Sequence, residues 1–263
     1  MLSIFTNFSY EMQAFVACLI TWLITSLGAS IVLFFKTINK NILDGMLGLA
    51  AGVMIAASFF SLLNPALLLS ETLDMIPWLV VFIGFFSGGL LLFLGDKIFP
   101  KLIQKSSFNS TKRTVMLVLS ITLHNIPEGL AIGVAFGSIA YGIEGATTMA
   151  ALMLAIGIGI QNFPEGTAVS LPLRRDGFSR KKSFMIGALT GAVEPISGFI
   201  GALLVLKVRL ILPVLLAFAA GAMVYVVVEE LIPESQTNEK KDLMALFTIV
   251  GFSIMMILDV ALG

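Results

Sequence analysis

Eight apolar runs, each long enough to cross a lipid bilayer, take up most of this 263-residue chain. They lie at roughly 12–35, 44–63, 77–96, 114–137, 147–173, 183–206, 210–230 and 243–262, with charged residues gathered in the connections. Apolar residues make up 58% of the chain and charged ones 12%, against about 25% charged in an ordinary soluble domain. Too little polar surface remains to coat a water-soluble fold, and the mean hydropathy of +1.01 agrees. The expected fold class is all-α, a polytopic membrane protein forming one transmembrane domain over residues 1–263. The single cysteine, Cys18, rules out an intrachain disulfide and leaves almost no room for thiolate metal chemistry.

Two of the runs carry near copies of one polar motif. His124 to Gly129 reads HNIPEG, and Gln161 to Gly166 reads QNFPEG. Residues four apart share a helix face, so His124 with Glu128, and Gln161 with Glu165, each aim two ligating side chains at one point. Asn125 and Asn162 stand one step round. Pro127 and Pro164 cannot donate the helical hydrogen bond, so the carbonyls of Leu123 and Ile160 need another partner, and a kink is expected at each. A pair of such helices, with imidazole, amide and carboxylate groups at mid-depth, reads as a divalent-metal site inside a membrane.

A third acid sits at the same level. Glu194, followed by Pro195 in GAVEPISG, lies well inside the sixth run, so the fourth, fifth and sixth runs all place a glutamate beside a proline near mid-depth. Buried polar groups also bridge helices in a purely structural way. Yet each intramembrane acid costs about 2.5–3.5 kcal/mol to insert, and packing alone rarely justifies three.

Orientation follows from the bases. If the first connection is cytoplasmic, the odd connections hold Lys36 and Lys40; Lys97, Lys101, Lys105, Lys112 and Arg113; Arg174, Arg175, Arg180, Lys181 and Lys182; and Lys240 and Lys241. Fourteen of the 16 basic residues then lie on one side, with only Lys207 and Arg209 on the other. This asymmetry predicts both termini outside a cell membrane, plasma or inner, crossed many times. Glu11, Glu71, Asp74 and Glu144 fall on the outer side, either as a mildly acidic approach for cations or as plain solvated loops. The segment before the first run has no Lys or Arg, which argues against a cleaved signal peptide.

An internal likeness points to the architecture. LAAGVMIAASFFSLL (49–63) and FAAGAMVYVVVEELI (218–232) share AAG-x-M, aligning Ala50, Ala51, Gly52 and Met54 with Ala219, Ala220, Gly221 and Met223. These two runs cross in opposite senses, so an inverted repeat is expected, three spans on either side of a central pair: 3+2+3.

HNIPEG and QNFPEG, together with GLAAGVMIAASFFSLLNPA, GAVEPISG and EELIPES, resemble the ZIP (Zrt/Irt-like) family of divalent-metal transporters, and its prokaryotic members in particular. That resemblance covers most of the chain. It implies an eight-helix core that carries zinc or a related ion into the cytoplasm, with His124, Glu128, Gln161 and Glu165 as ligands of one metal. Asn125, Asn162 and Glu194 would complete a neighbouring site bridged by Glu128 and Glu165; some relatives have a carboxylate or histidine where Asn162 stands. Glu229 and Glu230 match a region associated with metal exit, although by chemistry alone they read equally as interfacial charges. The resemblance also points to one helix bundle sliding against another, and to a homodimer.

One imidazole with carboxylate and amide oxygens suits Zn, Fe, Mn or Cd as the transported divalent ion, and the lack of thiolate argues against Cu(I). No catalytic residue, bound cofactor or nucleic-acid partner is expected; the partners are the metal ions and the lipid bilayer. Two rivals are an intramembrane zinc metalloenzyme, disfavoured because HNIPE lacks the HExxH order, and a carrier coupled to protons or sodium that moves another cation.

Overall fold

The computed structural model describes residues 5–35, 39–103, 112–142, 146–207 and 209–262. Lys36, Lys105 and Glu144 lie outside these. Among the described residues the chain is helical with no strand, and it folds as eight long rods. These are α1 (Tyr10–Phe34), α2 (Lys40–Thr72), α3 (Pro77–Ile103), α4 (Lys112–Ser138), α5 (Thr148–Arg175), α6 (Arg180–Lys207), α7 (Leu212–Ser235) and α8 (Lys241–Leu262). Six of them, α1, α2, α3, α6, α7 and α8, are long and apolar enough to cross a membrane. The other two, α4 and α5, run to 27 and 28 residues and carry the polar motifs.

Local chemistry sets the ends. The side chains of Asn39, Thr147 and Ser179 accept from Asn41 N, Ala150 N and Lys182 N, capping the starts of α2, α5 and α6. Arg174 and Arg175 occupy the last turn of α5, where cations suit the helix dipole. Gly142 closes the 3₁₀ turn after α4 with φ +59°, a conformation that favours glycine.

Three rods are irregular. The α-helix of α2 loosens into a π-turn at Ser58–Leu63 and resumes at Asn64; α7 does the same at Val227–Leu231 and resumes at Ile232. Both resumed segments have proline in their first turn, where its missing N–H costs nothing. In α6 the helix stops at Thr190 and restarts at Val193. Pro195 has no N–H to offer the Gly191 carbonyl, which accepts instead from Glu194 N at 3.0 Å.

The most extensive contacts join α1 with α5, α4 with α6, α3 with α7, and α2 with α8. Further packing of α1 on α6 and α4 gathers α1, α4, α5 and α6 into one group, while α2, α3, α7 and α8 form a second. The groups meet where α5 lies against α2 and α8, and α4 against α7. Glycine lets the backbones approach at each main pair. A Cβ on Gly28 would strike Phe163 O, and one on Gly166 would strike Thr25 O. Gly52 and Gly251 lie in the same way against Thr248 and Leu49, Gly88 and Gly221 against Phe218 and Phe85, and Gly133 against Gly198. Within the second group α2 and α7 are central, each 61% buried over its apolar window, whereas α3 and α8 are peripheral at 22% and 17%. The outward faces of α3 and α8, with Phe82, Phe86, Leu246 and Ile257 exposed, present the apolar surface that lipid requires.

One polar pin fixes the start of α2. Asp44, only 2% exposed, accepts from Asn238 Nδ2 at 2.8 Å, and its carbonyl accepts from Ser235 Oγ at 2.8 Å. Asn238→Leu leaves that buried carboxylate oxygen without its donor, a loss of about 1–3 kcal/mol. A lower thermal unfolding midpoint in detergent, without loss of helical content, is the expected outcome.

Candidate metal site

Both motifs lie inside unbroken helices: HNIPEG in α4, which continues through Pro127, and QNFPEG in α5, which continues through Pro164. Asn125, Glu128, Gln161, Asn162 and Glu194 are 0% exposed, and Glu165 is 4% exposed. His124 belongs to α4 by its backbone; its side chain lies outside the described part of the structure.

The helices bring these groups into one polar cluster. Gln161 Nε2 donates to Glu128 Oε1 at 2.5 Å, linking α5 to α4. Asn162 Nδ2 donates to both oxygens of Glu194 at 3.0 Å, linking α5 to α6. The carboxylates of Glu165 and Glu194 act electrostatically on Glu128, and those of Glu194 and Glu230 act on Glu165. No lysine or arginine among the described residues is a principal influence on any of the three central acids. The three buried acids thus belong to one electrostatically linked cluster.

Small residues make the cluster possible. A Cβ on Gly129 would collide with Ser197 Oγ and the Glu194 backbone, so α4 can lie this close to the break in α6 only with glycine there. Glu194 occupies the first turn after that break, where the helix dipole favours an anion.

Unpaired atoms reveal what the cluster lacks. Buried and without a hydrogen-bond partner are Asn125 Oδ1 and Nδ2, Glu128 Oε2, Gln161 Oε1, Asn162 Oδ1 and Glu165 Oε2. Such atoms are rare because each carries a desolvation penalty of about 1–3 kcal/mol. Here five neighbouring residues on two adjacent helices each leave an oxygen unpaired. Among the described residues no three His, Cys, Asp or Glu side chains form an ion-holding group by themselves.

Other residues join the site that sequence reasoning did not single out. Thr21 Oγ1 donates to Glu194 Oε2, and Thr25 Oγ1 donates to Glu194 Oε1 at 3.4 Å, so α1 forms a further wall. Their spacing of four, on one face of α1, was the available signal. Towards the end of α4 and the start of α5, a cavity of about 220 Å³ is lined by Ser61, Asn64, Ser138, Thr147 and Asp259, with Ser61 Oγ donating to Asp259 Oδ1 at 2.6 Å. Of the two acids on the π-turn of α7, Glu230 is half-buried and acts on Glu165, whereas Glu229 is exposed.

Long apolar helices that bury three acids and three carboxamides at their centre define a multi-pass membrane protein built to handle cations. A model of the ZIP zinc transporter family matches residues 106–259, more than half of the chain. The chain is 36% identical to zinc transporter ZIP11 of Homo sapiens over 95% of its own length and 97% of that relative. It is 36% identical to zinc transporter ZIPB of Bordetella bronchiseptica (91% and 78% covered), and 34% identical to zinc transporter ZupT of Streptococcus mutans (92% and 94%). This chain belongs to the ZIP family. Both animal and bacterial members are among its relatives, so the branch is left unspecified, and these relatives are named as transporters, not as enzymes.

Proposed function

We propose that this protein carries divalent transition-metal ions, zinc foremost, across a cell membrane into the cytoplasm. The observation that carries the reading is the set of unpaired buried oxygens on Asn125, Glu128, Gln161, Asn162 and Glu165. A dehydrated dication is the partner that such acceptor atoms fit, and it balances the buried acids beside them. His124, Glu128, Gln161 and Glu165 are the ligands in this reading, with Asn125 and Asn162 beside them and Glu194 forming the α6 wall. Mixed oxygen and imidazole ligation holds an ion firmly enough to capture it and weakly enough to let it go.

Eight spans in a 3+2+3 inverted repeat, with both termini outside, form the frame of the proposal. The pairing supports it: exchanging α1 with α6, α2 with α7, α3 with α8 and α4 with α5 turns the α1–α5 pair into α6–α4, and the α2–α8 pair into α7–α3. The π-turns support it too, since Ser58 and Val227 occupy equivalent positions after the shared AAG-x-M. In this frame the cavity beside Asp259 lies on the outer approach, while Glu230, with Glu229 behind it, lies on the way to the inside. The names of the relatives favour zinc over iron, manganese and cadmium as cargo.

Purified protein in liposomes loaded with a zinc-sensitive dye tests this directly. A zinc-dependent signal that protein-free vesicles lack is expected, with competition by unlabelled divalent ions ranking the cargo. Cleavage of lipid or peptide without zinc flux would favour the metalloenzyme, and proton or sodium flux without zinc would favour the other carrier.

A further inference from the structure

Glu194 differs from every other acid and amide in the cluster: both of its oxygens are already bonded. Oε2 accepts from Thr21 Oγ1 and from Asn162 Nδ2 at 3.0 Å; Oε1 accepts from Asn162 Nδ2 at 3.0 Å and from Thr25 Oγ1 at 3.4 Å. Three donor groups thus serve the two oxygens, Asn162 Nδ2 reaching both, while the hydroxyls of Thr21 and Thr25 also lie 3.0 Å from Cys18 O and 3.2 Å from Thr21 O. Asn125, Glu128, Gln161, Asn162 and Glu165 each keep an unpaired buried oxygen; Glu194 keeps none.

We propose that Thr21 and Thr25 are positioning residues which, together with the Asn162 amide, hold Glu194 as a hydrogen-bonded anchor, so that the site takes one divalent ion and not two. This rests on the transport reading above and refines it. Asn162 turns its donor face to Glu194, which leaves its own Oδ1 unpaired. A second cation between these side chains would meet an N–H group where it needs an oxygen. Charge agrees, because Glu128 and Glu165 together neutralise one dication, and Glu194 alone cannot neutralise another.

The surrounding backbone is shaped for the anchor. Thr21 and Thr25, four apart, face the same way from α1. A Cβ on Gly191 would come within 3.0 Å of Glu194 Oε1 and 3.1 Å of Thr25 Oγ1, so the break in α6 leaves the carboxylate its room. Gly166 lies against the Thr25 carbonyl and brings α5, with Asn162, up to α1. Three helices therefore meet at one carboxylate through donors alone, and Asn162 is held in place beside the ion.

Zinc bound per chain, measured by mass spectrometry after equilibrium dialysis of the full-length protein in detergent, tests the stoichiometry. One zinc is expected for the wild type and two for Asn162→Asp, which replaces the donor with a charged acceptor. Two zincs on the wild type, or one on N162D, would overturn the one-ion assignment and leave the transport reading standing. A wild type that neither binds nor carries zinc would overturn the reading beneath it. For the positioning role, Thr21→Val and Thr25→Val should each raise the KM of zinc uptake about tenfold with kcat retained, and Thr21→Ser should restore it. An unchanged KM in both valine variants would refute the role of the threonines.

Discussion

Glu165→Ala is expected to abolish zinc uptake in proteoliposomes while the protein still inserts and elutes from a sizing column as the wild type does. Glu165 is 4% exposed, keeps one oxygen unpaired, and is acted on by both Glu194 and Glu230. Removing one member of a buried charge pair typically costs about 3–5 kcal/mol, which weakens ion occupancy by about a hundredfold or more. The apo fold loses little, because the alanine also removes a repelling acid. His124→Ala is expected to behave in the same way, since it deletes the chain's only imidazole. Normal uptake by either variant would show that the ion crosses elsewhere.

Gly166→Leu is expected to prevent folding altogether. Even a Cβ at this position overlaps Thr25 O, and the rest of the leucine would force α1 away from α5 along their whole contact. Overpacking a tight contact costs about 1–3 kcal/mol when side chains can yield. Here the obstacle is backbone, and the same contact sets Thr25 and Asn162 against Glu194, so the loss is at the top of that range or above it. Loss of the monodisperse peak in detergent is the expected result, and Gly142→Ala serves as a contrast: its added Cβ meets nothing within 4 Å, leaving only the modest strain of a positive φ. Recovery of G166L at wild-type yield and thermal stability would show that this helix pair does not depend on close approach.

The helical membrane class was legible in the chain because span length and hydropathy are local properties. So were the polar motifs, since a glutamate in an apolar run is conspicuous wherever the run ends up. What escaped was set by partners distant in sequence. Thr21 and Thr25 are ordinary in an apolar helix until Glu194, more than 160 residues away, is brought against them. Asn64 and Pro65 read as the end of the second span, yet α2 runs on to Thr72, because proline is tolerated where the helix resumes after the π-turn. The π-turns leave no mark in hydrophobic periodicity. Asp259 falls inside the last apolar run, and only its bond to Ser61 and the cavity beside it distinguish it.

If the unpaired oxygens of α4 and α5 receive the transported ion, zinc binds between these two helices. Anomalous diffraction at the zinc edge from zinc-soaked crystals of the wild-type protein tests it most directly. One strong peak is expected between α4 and α5, within coordination distance of Glu128, Gln161 and Glu165 and absent from Glu165→Ala crystals. A peak confined to the connections or to the cavity beside Asp259, with none between these two helices, would contradict it.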